Sequence, residues 1–258
     1  MTQTPENDTP ADNGRIVLPP QQPARVMEPG CIGLSHEKKY FVVGNDPSEM
    51  FIKRSLEERE YTINWRSEMV IPRFVKERLQ NEAAAIRYVK EHTNIPVPVI
   101  RGAFEDCGRY YLLEDVVPGV LMAELSDEQK AVVTVELEQY IDTLHSIKSK
   151  MMGGLAGSAC LPYRLDMALK ERGAGLLEFR GADEPEFVLC HGDLSQHNVI
   201  VDESTLKING IIDWEYAGFY PSEFEGRFYK RPGPSAAIDG EIDDVPLLLQ
   251  LVEKWQKQ

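Results

Sequence analysis

The order of apolar and polar positions divides the chain into three parts. Residues 1 to about 30 hold six prolines and no aromatic residue. That stretch cannot bury enough apolar surface to offset the entropy of ordering, so a mostly disordered N-terminal tail is expected. Short strand-like runs follow. Tyr40–Val43 and Met50–Arg54 flank the turn signal Gly44-Asn45-Asp46-Pro47, and Val99–Phe104 and Arg109–Glu114 flank Asp106-Cys107-Gly108. Between the two pairs, Val75, Leu79, Ile86 and Val89 form the apolar stripe of a helix over about 72–91, with Pro72 suited to its first turn. Residues 31–115 thus read as a small sheet with one main helix.

The break Val116-Val117-Pro118-Gly119 looks like a linker, and residues 116–258 read as the second lobe. Its strongest helix starts at a capping box, Ser126 with Gln129. Its stripe is Val133, Leu137, Tyr140, Ile141, Leu144 and Ile147. Further helices are expected over about 164–178 and 245–257. Short apolar strands are expected at Phe187–Cys190, Val199–Val201 and Ile208–Ile212. The class is therefore α+β.

Composition narrows the function. The chain has 258 residues, 42% of them hydrophobic, enough for a sizeable core. A net charge of −14 argues against nucleic acid and against anionic membranes, both of which require basic surface. The charge is uneven: −3 over residues 1–115 and −11 over the rest. The acidic half would attract a cationic small-molecule partner. A solubilising surface accounts for it as well. Cys31, Cys107, Cys160 and Cys190 are scattered, with neither a C-x-x-C pair nor a disulfide framework, which suits a reducing cytoplasm. The N-terminus lacks the apolar region of a signal peptide, and no apolar run approaches the roughly 18 residues that would span a bilayer.

The chemistry concentrates in His191-Gly192-Asp193-Leu194-Ser195-Gln196-His197-Asn198, followed by Ile211-Ile212-Asp213-Trp214-Glu215. Phosphoryl transfer needs an acceptor hydroxyl that is positioned and relieved of its proton, and metal ions that neutralise the triphosphate. Asp193 could take the proton. The amide oxygen of Asn198 and the carboxylate of Asp213 are hard ligands suited to Mg²⁺. An Asx-rich turn, or a metal-hydrolase site on His191 and Asp193, would use the same letters. A second signal comes from the first lobe. Glu82 lies within the apolar stripe of its helix, where a carboxylate is costly unless a cation meets it, and Lys53 on the strand Met50–Arg54 is the natural partner. A strand lysine held by a helix glutamate presents an ammonium to ATP phosphates. Taken as an isolated buried pair, it implies that Glu82→Ala strands a cation at a cost of about 3 kcal/mol or more.

These motifs resemble the aminoglycoside phosphotransferase family, small-molecule kinases with a protein-kinase-like fold, in the form common in filamentous fungi. H-G-D-x-x-x-x-N with a downstream I-D-W-E carries the resemblance. NEAAAIRYVKEHTNIPVPVI, YYLLEDVVPGVLMAEL and ELEQYIDTLHSI extend it over roughly 38–225. The resemblance implies two lobes, an antiparallel-sheet N-lobe and a mostly helical C-lobe, shortened at the C-terminus. It implies ATP and Mg²⁺ as cosubstrate and cofactor. It implies Asp193 as catalytic base, Asn198 and Asp213 as metal ligands, and Lys53 with Glu82 on the phosphates. The hinge Leu113-Glu114-Asp115-Val116 would meet adenine through its backbone, its acidic side chains turned elsewhere. His191 would be structural, Trp214 packing, and His145 core or interface.

Three features depart from the family pattern. No G-x-G-x-x-G precedes Lys53. Phe51 shares the strand face of Lys53, where it would stack on the base or fill part of its pocket. Only 45 residues follow Asp213, so the acceptor pocket is expected to draw on Ala123–Phe187 or on the acidic segment beyond Asp213. The first and third favour an alternative, a pseudokinase that binds nucleotide without turnover. The intact Lys53, Glu82, Asp193, Asn198 and Asp213 favour an enzyme.

Overall fold

The computed structural model describes residues 28–45 and 48–257. The expected tail, as far as Met27, lies outside the described residues. The first lobe contains β1 (Cys31–Leu34), β2 (Lys38–Val43), β3 (Met50–Ser55), a short hairpin of β4 (Thr62–Ile63) and β5 (Met69–Val70), α1 (Val75–His92), β6 (Ile100–Asp106) and β7 (Arg109–Asp115). Five strands form an antiparallel sheet in the order β1-β2-β3-β7-β6. Its alternation is clean along β7, where Tyr110, Leu112 and Glu114 are buried between less buried neighbours. Tyr110 and Leu112 pack on Val75, Leu79 and Ala83 of α1. This helix starts at Val75 rather than Pro72, because Phe74 adopts a left-handed conformation (φ 50°, ψ 28°) that no helical turn includes.

The second lobe adds β8 (Val120–Leu121), α2 (Asp127–Ser146), β9 (Lys148–Ser149), β10 (Gly153–Gly154), α3 (Tyr163–Glu171), β11 (Phe187–Cys190), β12 (Val199–Val201), β13 (Ile208–Ile211), β14 (Gly218–Tyr220) and α4 (Val245–Trp255). The capping box forms: Gln129 N–H donates to the Ser126 hydroxyl and Ser126 N–H to the Gln129 side chain. Helix α3 is shorter than its apolar pattern predicted. Gly173 (φ +70°) ends it, with Gly173 N–H donating to the Lys170 carbonyl and Ala174 N–H to that of Leu169, a Schellman motif.

Helix α1 belongs to both lobes. Its Ile86 and Val89 share one core with Val133, Leu137 and Leu144 of α2 and with Leu189, Val199, Ile211 and Trp214. A second core joins α3 and α4 through Leu165, Leu169, Leu248, Val252 and Trp255. The antiparallel β12–β13 hairpin sits at the lobe junction. Asn198 immediately precedes it and Asp213 lies two residues beyond it, so one hairpin brings both to the cleft.

Asn81 of α1 fastens the junction. It is fully buried, its amide donates to the carbonyls of Glu215 (3.1 Å) and Ala217 (2.7 Å), and its oxygen accepts from Ala156 N–H (3.2 Å). Asn81→Ala leaves three backbone groups without partners and should cost about 2–4 kcal/mol in urea unfolding. A loss below about 0.5 kcal/mol would mean that the junction does not depend on this side chain.

Candidate active site

The cleft is organised around one ammonium. Lys53, on β3, is 2% exposed. Its Nζ lies 2.5 Å from Glu82 Oε1, contacts the Asp213 carboxylate, and lies 3.7 Å from Glu114 Oε1. The structure thus brings the strand lysine and the helix glutamate together and adds two more carboxylates. Burial works against the Lys53 charge, but Asp213, Glu82 and Glu114 override it and hold its pKa well above the usual lysine value. Burial, with Glu114 and Asp213 adding repulsion, pushes Glu82 up. The Asp213 side chain is 43% exposed; its enclosure in the cleft works against the charge, yet Lys53 and Lys38 keep it below the ordinary carboxylate range. Three carboxylates thus share one ammonium.

Asp193 follows β11 on a tightly approached loop. Gly192 has φ +83°, and a Cβ there would lie 2.7 Å from the Tyr216 carbonyl oxygen, so only glycine fits. His191 is buried and braces the loop: its Nδ1 accepts from Asp193 N–H (3.2 Å), which leaves Nε2–H to donate to the Ile212 carbonyl (2.9 Å). Burial lowers its pKa to about 4, so it stays neutral, in the structural role anticipated for it. Trp214 packs against it, with ring centroids 4.5 Å apart. The Asn198 amide donates to the Asp193 carbonyl (2.7 Å) and to its carboxylate (3.3 Å). The Asn198 backbone carbonyl accepts from Ile212 N–H (3.0 Å), which ties this residue to the segment that carries Asp213. Burial pushes the Asp193 carboxyl up to about 6, with the Ser235 hydroxyl and Asn198 pulling the other way.

The hinge differs from expectation. Asp115 turns outward to Arg101 (2.6 and 2.7 Å), but Glu114 turns inward, 3% exposed, toward Lys53. Two backbone donors are already used: Asp115 N–H bonds the Val99 carbonyl and Val116 N–H that of Glu49. Leu113 pairs with Ile52 within the sheet. Phe51 and Tyr40 stack (centroids 5.9 Å apart) and line a cavity of about 300 Å³ with Lys53, Glu114, Val117 and Asp213.

A larger cavity, about 600 Å³, opens on Asp193 and Asn198. Tyr40 lines both cavities and joins them. The acceptor side is walled by Tyr163 of α3, Gly233-Pro234-Ser235, and Ser35–Lys38 of the first lobe. Tyr163 belongs to Ala123–Phe187 and Gly233-Pro234-Ser235 to the segment beyond Asp213, so residues of both regions line this cavity. Several residues of this site escaped sequence reasoning. Glu225 is buried and accepts from His191 N–H (2.5 Å) and Gly192 N–H (3.3 Å), holding the loop from behind. Ser235 is 5% exposed and faces Asp193 without closing a short hydrogen bond. Lys38 and Glu215 form a buried ion pair. Glu215 ends the I-D-W-E motif, but Glu225, Ser235 and Lys38 lie in none, and only the alternation of β2 could have turned Lys38 inward. His145 is half buried behind the loop, its Nε2 without a partner.

A family model described as the phosphotransferase enzyme family matches residues 32–225. The chain belongs to that family. Among curated relatives, an aminoglycoside 3'-phosphotransferase of Streptomyces fradiae is 29% identical over 156 residues, covering 52% of this chain and 57% of the relative. One of Streptomyces ribosidificus is 27% identical over 154 residues, covering 52% and 58%. The chain thus matches little more than half the length of these phosphotransferases. A crystal structure of an aminoglycoside-3'-phosphotransferase of type VIII superposes with a TM-score of 0.50 at 22% identity, over 76% of this chain and 75% of that one. That likeness establishes the two-lobed phosphotransferase fold. Among the described residues, no helix is long and apolar enough to cross a membrane.

The shared ammonium revises one energetic expectation. Removing Glu82 does not strand Lys53, because Asp213 and Glu114 remain in contact with it. Glu82→Ala should therefore cost no more than about 2 kcal/mol in urea unfolding, below the roughly 3–5 kcal/mol of a broken isolated pair. A loss of 4 kcal/mol would show that Glu82 alone neutralises the lysine.

Proposed function

We propose that the chain is an ATP- and Mg²⁺-dependent small-molecule kinase that moves the γ-phosphate of ATP to a hydroxyl or amine of a polar acceptor. The observation that carries the reading is Asp193. Its carboxyl group is half-buried on a braced loop that lines a cavity of about 600 Å³, separated by one tyrosine from a second cavity that contains the lysine and the aspartate suited to a nucleotide. Adenine occupies the smaller cavity between Phe51, Val117 and Ile200, and Lys53 meets the α- and β-phosphates. Asp213 and Asn198 hold Mg²⁺, whose chemistry is to neutralise charge on the triphosphate oxygens. Asp193 orients the acceptor and takes its proton as the new P–O bond forms.

The acceptor cavity sets limits on the substrate. Glu37 is paired with Arg78 and Glu215 with Lys38, so Asp193 is its one carboxylate in excess of cations. That suits a neutral or singly cationic acceptor more than a polycation. The net charge of −11 in the second half lies largely outside the cavity, where it serves solubility. The four free thiols suit the cytoplasm. One observation favours the pseudokinase reading: Lys53 and Lys38 both engage carboxylates of the cleft, so nucleotide must displace these contacts.

Mutants of the two aspartates separate these readings. Asp193→Asn should keep Mg·ATP affinity while turnover falls by about 10²-fold or more. Asp213→Asn should weaken both. Calorimetry with no Mg·ATP binding at millimolar concentration would rule out both enzyme and pseudokinase. Equal residual ATPase in wild type and Asp193→Asn would remove Asp193 as the base.

The pH dependence follows from the raised Asp193. A base must be ionised, and its folded pKa of about 6 lies above the usual aspartate value, so activity is lost as pH falls through about 6. The kcat/KM profile should fall about tenfold per unit below that point. A profile flat to pH 4.5 would place the titrating base elsewhere.

A further inference from the structure

The turn that precedes Lys53 in space carries no glycine pattern; it reads Ser35-His36-Glu37 between β1 and β2. It is nonetheless held in place. Arg78 of α1 donates to Glu37 (2.6 Å) and to the Tyr216 hydroxyl (2.6 Å). Lys38, the first residue of β2, extends its Nζ to Glu215 Oε2 at 2.5 Å. Lys38 is 5% exposed, and its partner's side chain 12%.

The sheet register sets where Lys38 points. Tyr40 pairs with Lys53 across β2 and β3, and Lys38 lies two residues before Tyr40 on the same face. All three side chains look into the cleft. Lys53 lines the nucleotide cavity, Lys38 lines the cavity of Asp193 and Asn198, and Tyr40 lines both. The two lysines therefore flank the passage that a triphosphate must cross, with Lys38 on the side of the transferred group.

A buried ion pair is a poor strut, since well-packed apolar residues hold two elements together at least as well. Its distinctive property is that the cation can be handed to another anion. Glu215 would not be stranded by such a transfer, because Arg78 Nη1 stays 3.4 Å from its other oxygen. Burial disfavours the Lys38 charge, but Glu215 outweighs it and keeps the ammonium protonated.

We propose, on the basis of the kinase reading above, that Lys38 is a second phosphate-contacting cation that stands in for the missing glycine loop. Glu215 holds the ammonium in the empty cleft, and the γ-phosphate of ATP takes it over on binding. During transfer the acceptor oxygen forms its bond to the γ-phosphorus, the bond from that phosphorus to the β–γ bridging oxygen breaks, and the acceptor proton passes to Asp193. Lys38 stays protonated throughout and neutralises charge on the γ-phosphoryl oxygens. Lys53, deeper in the cleft, serves the α- and β-phosphates.

The test compares ATP with ADP, which lacks the γ-phosphate. In calorimetry with Mg²⁺, Lys38→Met should lose at least about tenfold in ATP affinity and less than twofold in ADP affinity, the scale of one charge-assisted contact. Lys53→Met should weaken both nucleotides alike. Lys38→Arg should restore part of the preference for ATP. If Lys38→Met folds poorly, as judged by its thermal midpoint, Glu215→Gln supplies the reciprocal measurement: with the competing carboxylate gone, the ratio of ATP to ADP affinity should rise. An unchanged ratio in both variants makes Lys38 a structural strut and overturns the proposal. A wild type that binds neither nucleotide overturns the kinase reading itself, a different and prior failure.

Discussion

Everything in the cleft is arranged around a single charge, the Lys53 ammonium. Burying it is costly in isolation, and the fold answers with carboxylates from three directions: Glu82 from α1, Glu114 from β7 and Asp213 from the segment after β13. The sheet, the shared helix and the second lobe thus converge on one atom. That convergence explains why α1 packs into both lobes and why Asn81, one residue before Glu82, is fastened to the backbone on either side of Tyr216. The same arrangement overshoots neutrality. Burial and mutual repulsion drive Glu82 up, while Asp213 stays ionised.

The loop that carries Asp193 is built on the opposite principle. Its supports are neutral or backbone groups: the uncharged ring of His191, the amide of Asn198, and two peptide N–H groups received by Glu225. A carboxylate in such surroundings rises in pKa because it lacks a cationic partner, and Asp193 does so. Asp213 and Asp193 therefore have the same chemistry and opposite electrostatics. One is held ionised by two lysines, as the metal-ligand role proposed for it would require. The other is left near the pH at which it can both lose and accept a proton.

Much of this was legible in the sequence because it rests on local pattern. Short strand-like runs beside turn signals located β2, β3, β6 and β7, the Ser126–Gln129 box placed the start of α2, and a carboxylate on an apolar stripe singled out Glu82 and its partner. Local signals also misled where a single residue overrode a longer pattern. The left-handed Phe74 delayed α1, and Gly173 cut α3 short. Nor did the hinge segment announce that Asp115 and Val116 spend their N–H groups on Val99 and Glu49, partners far along the chain.

The sequence by itself determined the class of fold, the order of its elements, and which side chains could bear the chemistry, since each depends on the spacing of residue types within one helix, strand or loop. Only the tertiary structure decided how charge is shared among them. That Glu114 turns inward, that Lys38 reaches Glu215 across 177 residues, and that Glu225 holds the loop of Asp193 from behind are consequences of register and packing. The reason is physical: a residue's partner in a low-dielectric interior is set by distance in space, and spacing along the chain carries no record of it.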